Sequence, residues 1–239
     1  MPEISIIVPC RDEEENVTII TKNLQNNSNY KDFELIFIND FSKDRTEGIL
    51  KELSNNFKNI YYFNNKEKGL GGAIKRGINK SSGNYITIMM ADSADSVDDL
   101  NTYIDLIKNS NFDAIFGSRF IKGSKVKNYP KSKYLINRFA NFVVGVFFLN
   151  SFNDYTNAFK IYKKDTLTKL QPIVSENFNV FLELPLKIIG RKYKYTVVPI
   201  SWSGRKSGVS KFKINELGSK YLFTLLYCYL EKVLLKKRK

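Results

Sequence analysis

The chain has 239 residues, 43% of them hydrophobic, which suits one large domain with a substantial core. It contains no histidine, which excludes histidine triads, histidine general bases and His-ligated zinc; its two cysteines, Cys10 and Cys228, lack metal or redox spacing and fit a reducing, cytosolic setting. The net charge of +14 is uneven, with 13 Lys/Arg against 18 Asp/Glu in residues 1–118, 11 against 4 in 119–186 and 14 against 2 in 187–239, so the basic half calls for an anionic partner such as nucleic acid, phospholipid or a phosphorylated substrate.

No basic leader or cleavable apolar segment precedes the first strand, so no signal peptide is expected. The strand is ISIIVP (Ile4–Pro9), followed by helical spacing in NVTIITKNLQNN. FELIFIND (Phe33–Asp40) reads as a second strand, DRTEGILKELSNNF as a second helix, IYYFNN as a third strand, GGAIKRGINKSS as a third helix and NYITIMM as a fourth strand. This alternation predicts an α/β fold with a mostly parallel sheet and helices on both faces. In SVDDLNTYIDLI, Val97, Leu100, Ile104 and Ile107 recur at helical spacing, and Ser96 with Asp99 forms a capping-box pattern. Asp98 and Asp99 are therefore expected as first-turn helix residues favoured by the helix dipole.

Further on, AIFGSRF reads as a strand running into a basic loop, Lys122–Lys133. FANFVVGVFFL (Phe139–Leu149) is strongly apolar but short of the roughly 20 residues a helix needs to cross a bilayer. KYKYTVVPISW is a late strand followed by the polar segment SGRKSGVSKFK. The end, GSKYLFTLLYCYLEKVLLKKRK, reads as an apolar, aromatic helix that turns abruptly basic. There is no internal repeat or low-complexity linker.

Ligand sites in such sheets lie beyond the carboxyl ends of the strands, which singles out Pro9–Glu13, Asn39–Asp44, Asn64–Gly72 and Ala91–Asp95. After the first strand, PCRDEEEN places Glu13 and the backbone of Pro9–Arg11 toward a ligand, whereas Glu14 and Glu15 equally suit a helix start. After the second, Asn39 and Asp40 sit at the strand tip, where a carboxylate can accept from the ring nitrogens of a nucleobase, and Asp44 suits a helix cap. KEKGLGGAIKRG offers glycines, among them Gly69 and Gly71, and lysines, Lys75 among them, at a helix amino terminus, a setting for phosphate, although the spacing is neither Walker nor a complete G-x-G-x-x-G.

Taken in order, these segments resemble the family-2 glycosyltransferases with the GT-A fold, and in particular the dolichyl- or polyprenyl-phosphate sugar synthases. PCRDEEEN stands for the family's P-x-Y-N-E-x-E-N, departing at Arg11 and Asp12. NDFSKDRT stands for D-D-x-S-x-D-x-T, with Asn39 in place of the first aspartate. MMAD stands for M-D-A-D, with Met90 on the first carboxylate, Ala91 between and Asp92 on the second. Gly117–Arg119 stands for G-S-R, DYTNAFK (Asp154–Lys160) for D-x-T-S-G-F-R, and VVPISWSGRKSGVSK for V-P-I … R-x-x-G-x-S-K, with Arg205, Gly208, Ser210 and Lys211 intact. The likeness covers almost the whole chain.

The resemblance implies a GT-A domain over residues 1–212 and an amphipathic basic helix over 213–239. It implies a nucleoside diphosphate sugar as donor, held at Pro9, Arg11, Glu13, Asn39, Asp40, Gly69, Gly71, Lys75, Ala91 and Asp92. A Mg²⁺ or Mn²⁺ ion is implied at Asp92, with Asp95 as candidate replacement for the carboxylate lost at Met90. Transfer inverts the anomeric carbon. A polyprenyl phosphate acceptor is already anionic and needs no base, but it requires cations beside the donor diphosphate. Arg119, Arg138 and Arg205, supported by Ser210 and Lys211, are the candidates, and Asp92, Arg119 and Arg205 form the expected catalytic set.

The basic tail and Phe139–Leu149 are expected at an anionic membrane surface, peripheral on its cytoplasmic face; the alternative is packing on the protein's own core or on a partner. No nucleic-acid module is recognisable. One alternative is transfer to a saccharide hydroxyl in surface polysaccharide or glycan assembly, for which Asp154 or Glu183 could serve as base. Another is a sugar-nucleotide-binding protein without turnover. The sugar, the base and the oligomeric state stay open.

Overall fold

The computed structural model describes residues 2–204 and 214–235, with side chains throughout these ranges except 214–217. A seven-stranded sheet runs in the order β3-β2-β1-β4-β7-β5-β8. It is built from β1 (Ile4–Cys10), β2 (Phe33–Asn39), β3 (Ile60–Asn64), β4 (Tyr85–Ile88), β5 (Ala114–Ser118), β7 (Lys160–Lys163) and β8 (Tyr195–Pro199). A second, two-stranded sheet pairs β6 (Lys125–Lys127) with β9 (Ser201–Ser203). β3, β2, β1 and β4 are mutually parallel, as are β5 and β8, whereas β7 runs antiparallel between β4 and β5. The mostly parallel sheet expected from the sequence is present. β1 and β2 are buried at every position, which is why they read as continuous apolar runs rather than alternating ones.

Alternate residues of each strand feed opposite faces of the sheet. Ile4, Ile6 and Val8 with Phe33, Leu35 and Phe37 pack under α1 (Val17–Asn27), α2 (Thr46–Asn56) and α4 (Val97–Lys108). Ile7, Ile36, Ile38 and Phe116 pack on the other face under α3 (Leu70–Lys80), α5 (Lys131–Phe148) and α7 (Val180–Gly190). In α4 the buried residues Leu100, Tyr103, Ile104 and Ile107 follow the spacing of one helix face. α6 (Lys164–Lys169) is short, and α7 is apolar on nearly every side because it lies inside the core.

α8 (Ile214–Leu234) packs on α7 through buried Leu225 and Cys228, and Asn179 Nδ2 donates to Thr224 Oγ1 at 2.9 Å. The expected division at 212/213 lies outside the described residues. Leu222, Phe223, Leu226, Tyr229, Leu230, Val233 and Leu234 are exposed on α8, a single stripe at helical spacing. α5 exposes Leu135, Ile136, Phe139, Phe142, Val146 and Phe147. Edge contacts from Phe147 and Phe148 to Tyr229 bring the two helices side by side, so their apolar surfaces adjoin. Among the described residues, no helix is long and apolar enough to cross a membrane.

Candidate active site

The topology collects the candidate residues along one edge of the sheet. The carboxyl ends of β1, β2, β3, β4, β5 and β8 lie there, and because β7 is antiparallel its amino end joins them, carrying Asp154–Lys160 alongside Arg119. Three non-glycine residues with left-handed φ, Asp12 (50°), Phe41 (57°) and Ser93 (53°), fall in the turns after β1, β2 and β4. Backbone strain of this kind is concentrated at functional loops.

At the carboxyl ends of β1–β3 a cleft of about 480 Å³ is lined by Arg11, Asn39, Phe41, Ser42, Lys43, Glu47, Asn64, Asn65 and Lys68. Asn39 Nδ2 donates to Asn64 Oδ1 (2.9 Å) and Glu47 Oε2 (3.3 Å), and Asn39 Oδ1 accepts from the Ser42 N–H. Asn39 therefore organises the floor of the cleft. Asp40 is buried, and its Oδ1 accepts from Asn65 Nδ2 (2.8 Å) and the Gly69 N–H (2.9 Å). One oxygen of the carboxylate expected to face a nucleobase is thus engaged in fixing the turn before α3. Glu13 is also buried; its N–H donates to Thr46 Oγ1 and its Oε2 accepts from Asn16 Nδ2. Pro9 is buried near the end of β1, and Ala91 is buried in the turn after β4. Glu14 accepts from the Arg45 backbone and side chain instead of starting α1, which begins later at Val17. Asp44, expected as a helix cap, stands one residue before the N-cap Arg45 and accepts from the Thr46 N–H at 2.9 Å.

The glycines after β3 serve a different need from the one their spacing suggests. The Gly71 N–H donates to the Glu176 carbonyl at 2.9 Å, so this donor is occupied by protein. A Cβ at Gly69, whose φ is +123°, would stand 2.5 Å from the same carbonyl, and one at Gly71 would collide with the Ser175 carbonyl. Only glycine lets the 175–176 backbone approach here. Lys75 pairs with Glu67 at 3.0 Å rather than lining the cleft.

On the metal side, Asp92 Oδ1 accepts from the Ala94 N–H, and Asp95 is buried nearby. Burial, then the neighbouring Asp92 charge, pushes Asp95 up to about 7, although Arg119 pulls the other way. A buried carboxylate beside a half-buried one is relieved of that repulsion by a cation between them. Their hard oxygen donors would suit Mg²⁺ or Mn²⁺. No cluster of three or more metal-ligating side chains occurs among the described residues. Asp98 is exposed in the first turn of α4, and the Ser96 hydroxyl accepts from its N–H. Asp99 also lies in the first turn of α4, as expected, and in addition its carboxylate accepts from the Ser201 N–H at 2.5 Å and thereby ties α4 to β9.

On the opposite side, Arg119 is clasped by Asp154. Its backbone N–H and Nε both reach Oδ2 at 2.9 Å, and Nη2 reaches Oδ1 at 2.7 Å. Burial alone would lower the guanidinium, but Asp154 more than offsets this and holds it above its ordinary value. Three rings surround the guanidinium carbon, Phe120 at 5.3 Å, Tyr129 at 5.4 Å and Trp202 at 5.7 Å. Arg138 of α5 lies 4.9 Å from the Phe120 ring and donates to the Asn153 carbonyl, so the two arginines meet at one aromatic. Arg205, Ser210 and Lys211 lie outside the described residues.

Neither carboxylate considered as a base is placed for that role. Both Asp154 oxygens accept from Arg119, and Asp154 is fully buried. Glu183 is fully buried in α7, where it accepts from the Val174 and Ser175 N–H groups and pairs with Lys187 at 3.0 Å. Its work is to hold the 174–176 turn against α3.

Several residues at the site were not among the sequence candidates. Glu47 reaches the cleft through helix geometry, and Asn64 opens the segment singled out after the third strand. Lys160 is buried behind Asp154, where its ammonium donates to the Tyr155 and Asn157 carbonyls; burial brings it down to about 7 against the pull of Asp154. Its place in DYTNAFK, where related sequences carry arginine, was the available hint. Trp202, the only tryptophan, was visible as a strand residue but not as a neighbour of Arg119.

Residues 5–171 match the family model described as glycosyl transferase family 2. The chain is 30% identical over 215 residues to a dolichol-phosphate mannosyltransferase of Pyrococcus furiosus, covering 88% of this chain and 59% of that protein's length. It is 24% identical over 234 residues to a polyprenol monophosphomannose synthase of Mycolicibacterium smegmatis, covering 89% and 86%. Among solved structures, glucosyl-3-phosphoglycerate synthase of Mycobacterium tuberculosis, in complex with Mn²⁺, uridine diphosphate and phosphoglyceric acid, superposes with a TM-score of 0.73 at 15% identity over 95% of this chain and 78% of that one. That likeness shows the shared GT-A fold.

Proposed function

Because the chain belongs to glycosyl transferase family 2, we propose that it transfers a sugar, with inversion, from a nucleoside diphosphate sugar to a polyprenyl phosphate. The observation that carries the reading is the pairing of Arg119 and Arg138 around Phe120, across the sheet edge from the donor cleft. Two cations at this point suit a phosphate nucleophile. A saccharide hydroxyl would need a base, and Asp154 and Glu183 have their oxygens occupied. The names of the P. furiosus and M. smegmatis relatives point to the same acceptor class.

In this reading the cleft between Arg11 and Lys68 receives the nucleoside, and Asp92 with Asp95 would hold Mg²⁺ or Mn²⁺. An ion bound there supplies Lewis-acid neutralisation of the departing diphosphate. Arg119, held in place by Asp154, and Arg138 orient the acceptor phosphate; Arg205, Ser210 and Lys211 complete its cradle. The phosphate oxygen attacks the anomeric carbon opposite the diphosphate, and no proton has to be removed. Residues 1–212 form the catalytic unit, and α8 with its basic end, together with α5, rests on an anionic membrane at the cytoplasmic face. The exposed apolar side chains of the two adjoining helices support this reading.

The test is transfer from a panel of nucleoside diphosphate sugars with Mn²⁺ to polyprenyl phosphate or to saccharide acceptors. Transfer to saccharide but not to lipid phosphate would overturn the proposal. Donor binding without turnover on any acceptor would favour a binding protein.

A further inference from the structure

We propose that Trp202 is a positioning residue that holds Arg119 for an incoming acceptor phosphate and registers it against the carboxylate loop at Asp92–Asp95. The inference rests on the acceptor side of the reading above.

Of the three rings around Arg119, Phe120 is its chain neighbour and Tyr129 follows β6 in the segment that joins β5 to α5. Trp202 comes from outside that segment, from β9. Its ring lies 5.7 Å from the Arg119 guanidinium carbon and 5.1 Å from the Tyr129 ring. The backbone around it is sewn to the metal-side loop. Asp95 and Trp202 form an antiparallel bridge, the Ser203 N–H donates to the Ala94 carbonyl at 3.1 Å, and the Ser201 N–H donates to Asp99 Oδ2 at 2.5 Å. On its other edge β9 pairs with β6, where Val126 opposes Trp202. One three-residue strand therefore touches both the loop that carries Asp92–Asp95 and the loop that carries Arg119.

The chemistry follows from this placement. Asp154 fixes Arg119 from one side through two guanidinium nitrogens, and the rings fix its faces. A half-buried indole attracts a guanidinium through its negative π face and excludes water from it. Without the indole, Arg119 keeps its ion pair but loses the wall that faces the carboxylate loop. The guanidinium can then tilt away from the position a phosphate needs. Donor binding, which uses the cleft at β1–β3, is unaffected.

The experiment compares Trp202→Phe, Trp202→Leu and Trp202→Ala. Kinetics are measured with a saturating nucleoside diphosphate sugar and varied farnesyl phosphate, and nucleoside diphosphate affinity is measured by calorimetry. Trp202→Leu and Trp202→Ala are expected to raise the KM for farnesyl phosphate roughly tenfold, the scale of a desolvated cation–ring contact. Nucleoside diphosphate affinity stays within about twofold, and Trp202→Phe, which keeps a ring, recovers most of the loss. Equal behaviour of the Phe and Leu variants, or parallel loss of donor and acceptor binding, overturns the inference.

A thermal-unfolding double-mutant cycle between Trp202→Leu and Arg119→Gln reads the contact without any substrate, and non-zero coupling is expected. Wild-type protein that fails to use farnesyl phosphate while the coupling persists sinks the acceptor assignment and leaves the contact standing. Zero coupling in a transferring enzyme sinks the contact.

Discussion

Replacing Asp95 by asparagine should make the protein more stable and less able to hold a metal. Asp95 is buried beside Asp92, and burial followed by that like charge raises it from 3.8 to about 7. A shift of roughly three units, at 1.36 kcal/mol each, corresponds to about 4 kcal/mol of native-state cost when the carboxylate is ionised. Because the folded value lies above the unfolded one, the cost is absent below pH 3.8, grows between pH 3.8 and about 7, and is constant above. Asparagine carries no charge but forfeits the attraction to Arg119, so a gain of about 2–4 kcal/mol at pH 8 is expected, or roughly 5–10 °C in Tm for a domain of this size. The assay is thermal unfolding of both proteins with chelator at pH 4.5, 6 and 8. The difference should widen with pH, and Mn²⁺ at pH 8 should stabilise the wild type far more than the variant. A difference that is flat with pH, or a wild type more stable than the Asp95→Asn variant at pH 8 without metal, would refute the reasoning.

Asp92→Asn should abolish metal-dependent transfer, whereas Asp98→Asn, on an exposed first-turn residue, should change kcat/KM by less than about twofold; equal losses from the two would mean the division between them is wrong. Asp154→Asn strands the buried Arg119 charge and should cost about 3–5 kcal/mol in chemical denaturation, together with most of the activity. An exposed, additive surface effect there would contradict the buried clasp. Gly71→Ala puts a methyl into the Ser175 carbonyl, so donor KM should rise several-fold with a lowered Tm, and an unchanged KM would show that the turn has room. Leu226→Glu with Leu230→Glu should leave far-ultraviolet circular dichroism intact but abolish cosedimentation with anionic vesicles; retained binding would remove α8 from the membrane face.

The amino-terminal half was legible because its two leading strands, β1 and β2, are buried on both faces. ISIIVP and FELIFIND announce themselves as continuous apolar runs, and the helices between them keep a clean 3.6-residue period. The carboxyl-terminal half hid more. β7 is only four residues, KIYK, and its antiparallel insertion follows from no local pattern. α7 is apolar nearly all round and contains Pro185, so periodicity has nothing to grip. Its carboxylate Glu183 looked like a base because sequence does not reveal burial. Asp154 did so for a similar reason, since its partner Arg119 lies 35 residues away. Of the crowded aspartates after β4, helical spacing correctly placed Asp98 in the first turn of α4. The bond from Ser201 to Asp99 depends on a tertiary contact 102 residues distant.

The most direct measurement of the central claim is a competition assay. Purified protein, Mn²⁺ and a labelled nucleoside diphosphate sugar are offered polyprenyl phosphate and saccharide acceptors together, and label is followed into the organic and aqueous phases. The account predicts label in the organic phase as an acid-labile lipid phosphosugar, lost with Arg119→Gln. Label confined to saccharide, or lipid transfer indifferent to Arg119, would contradict it.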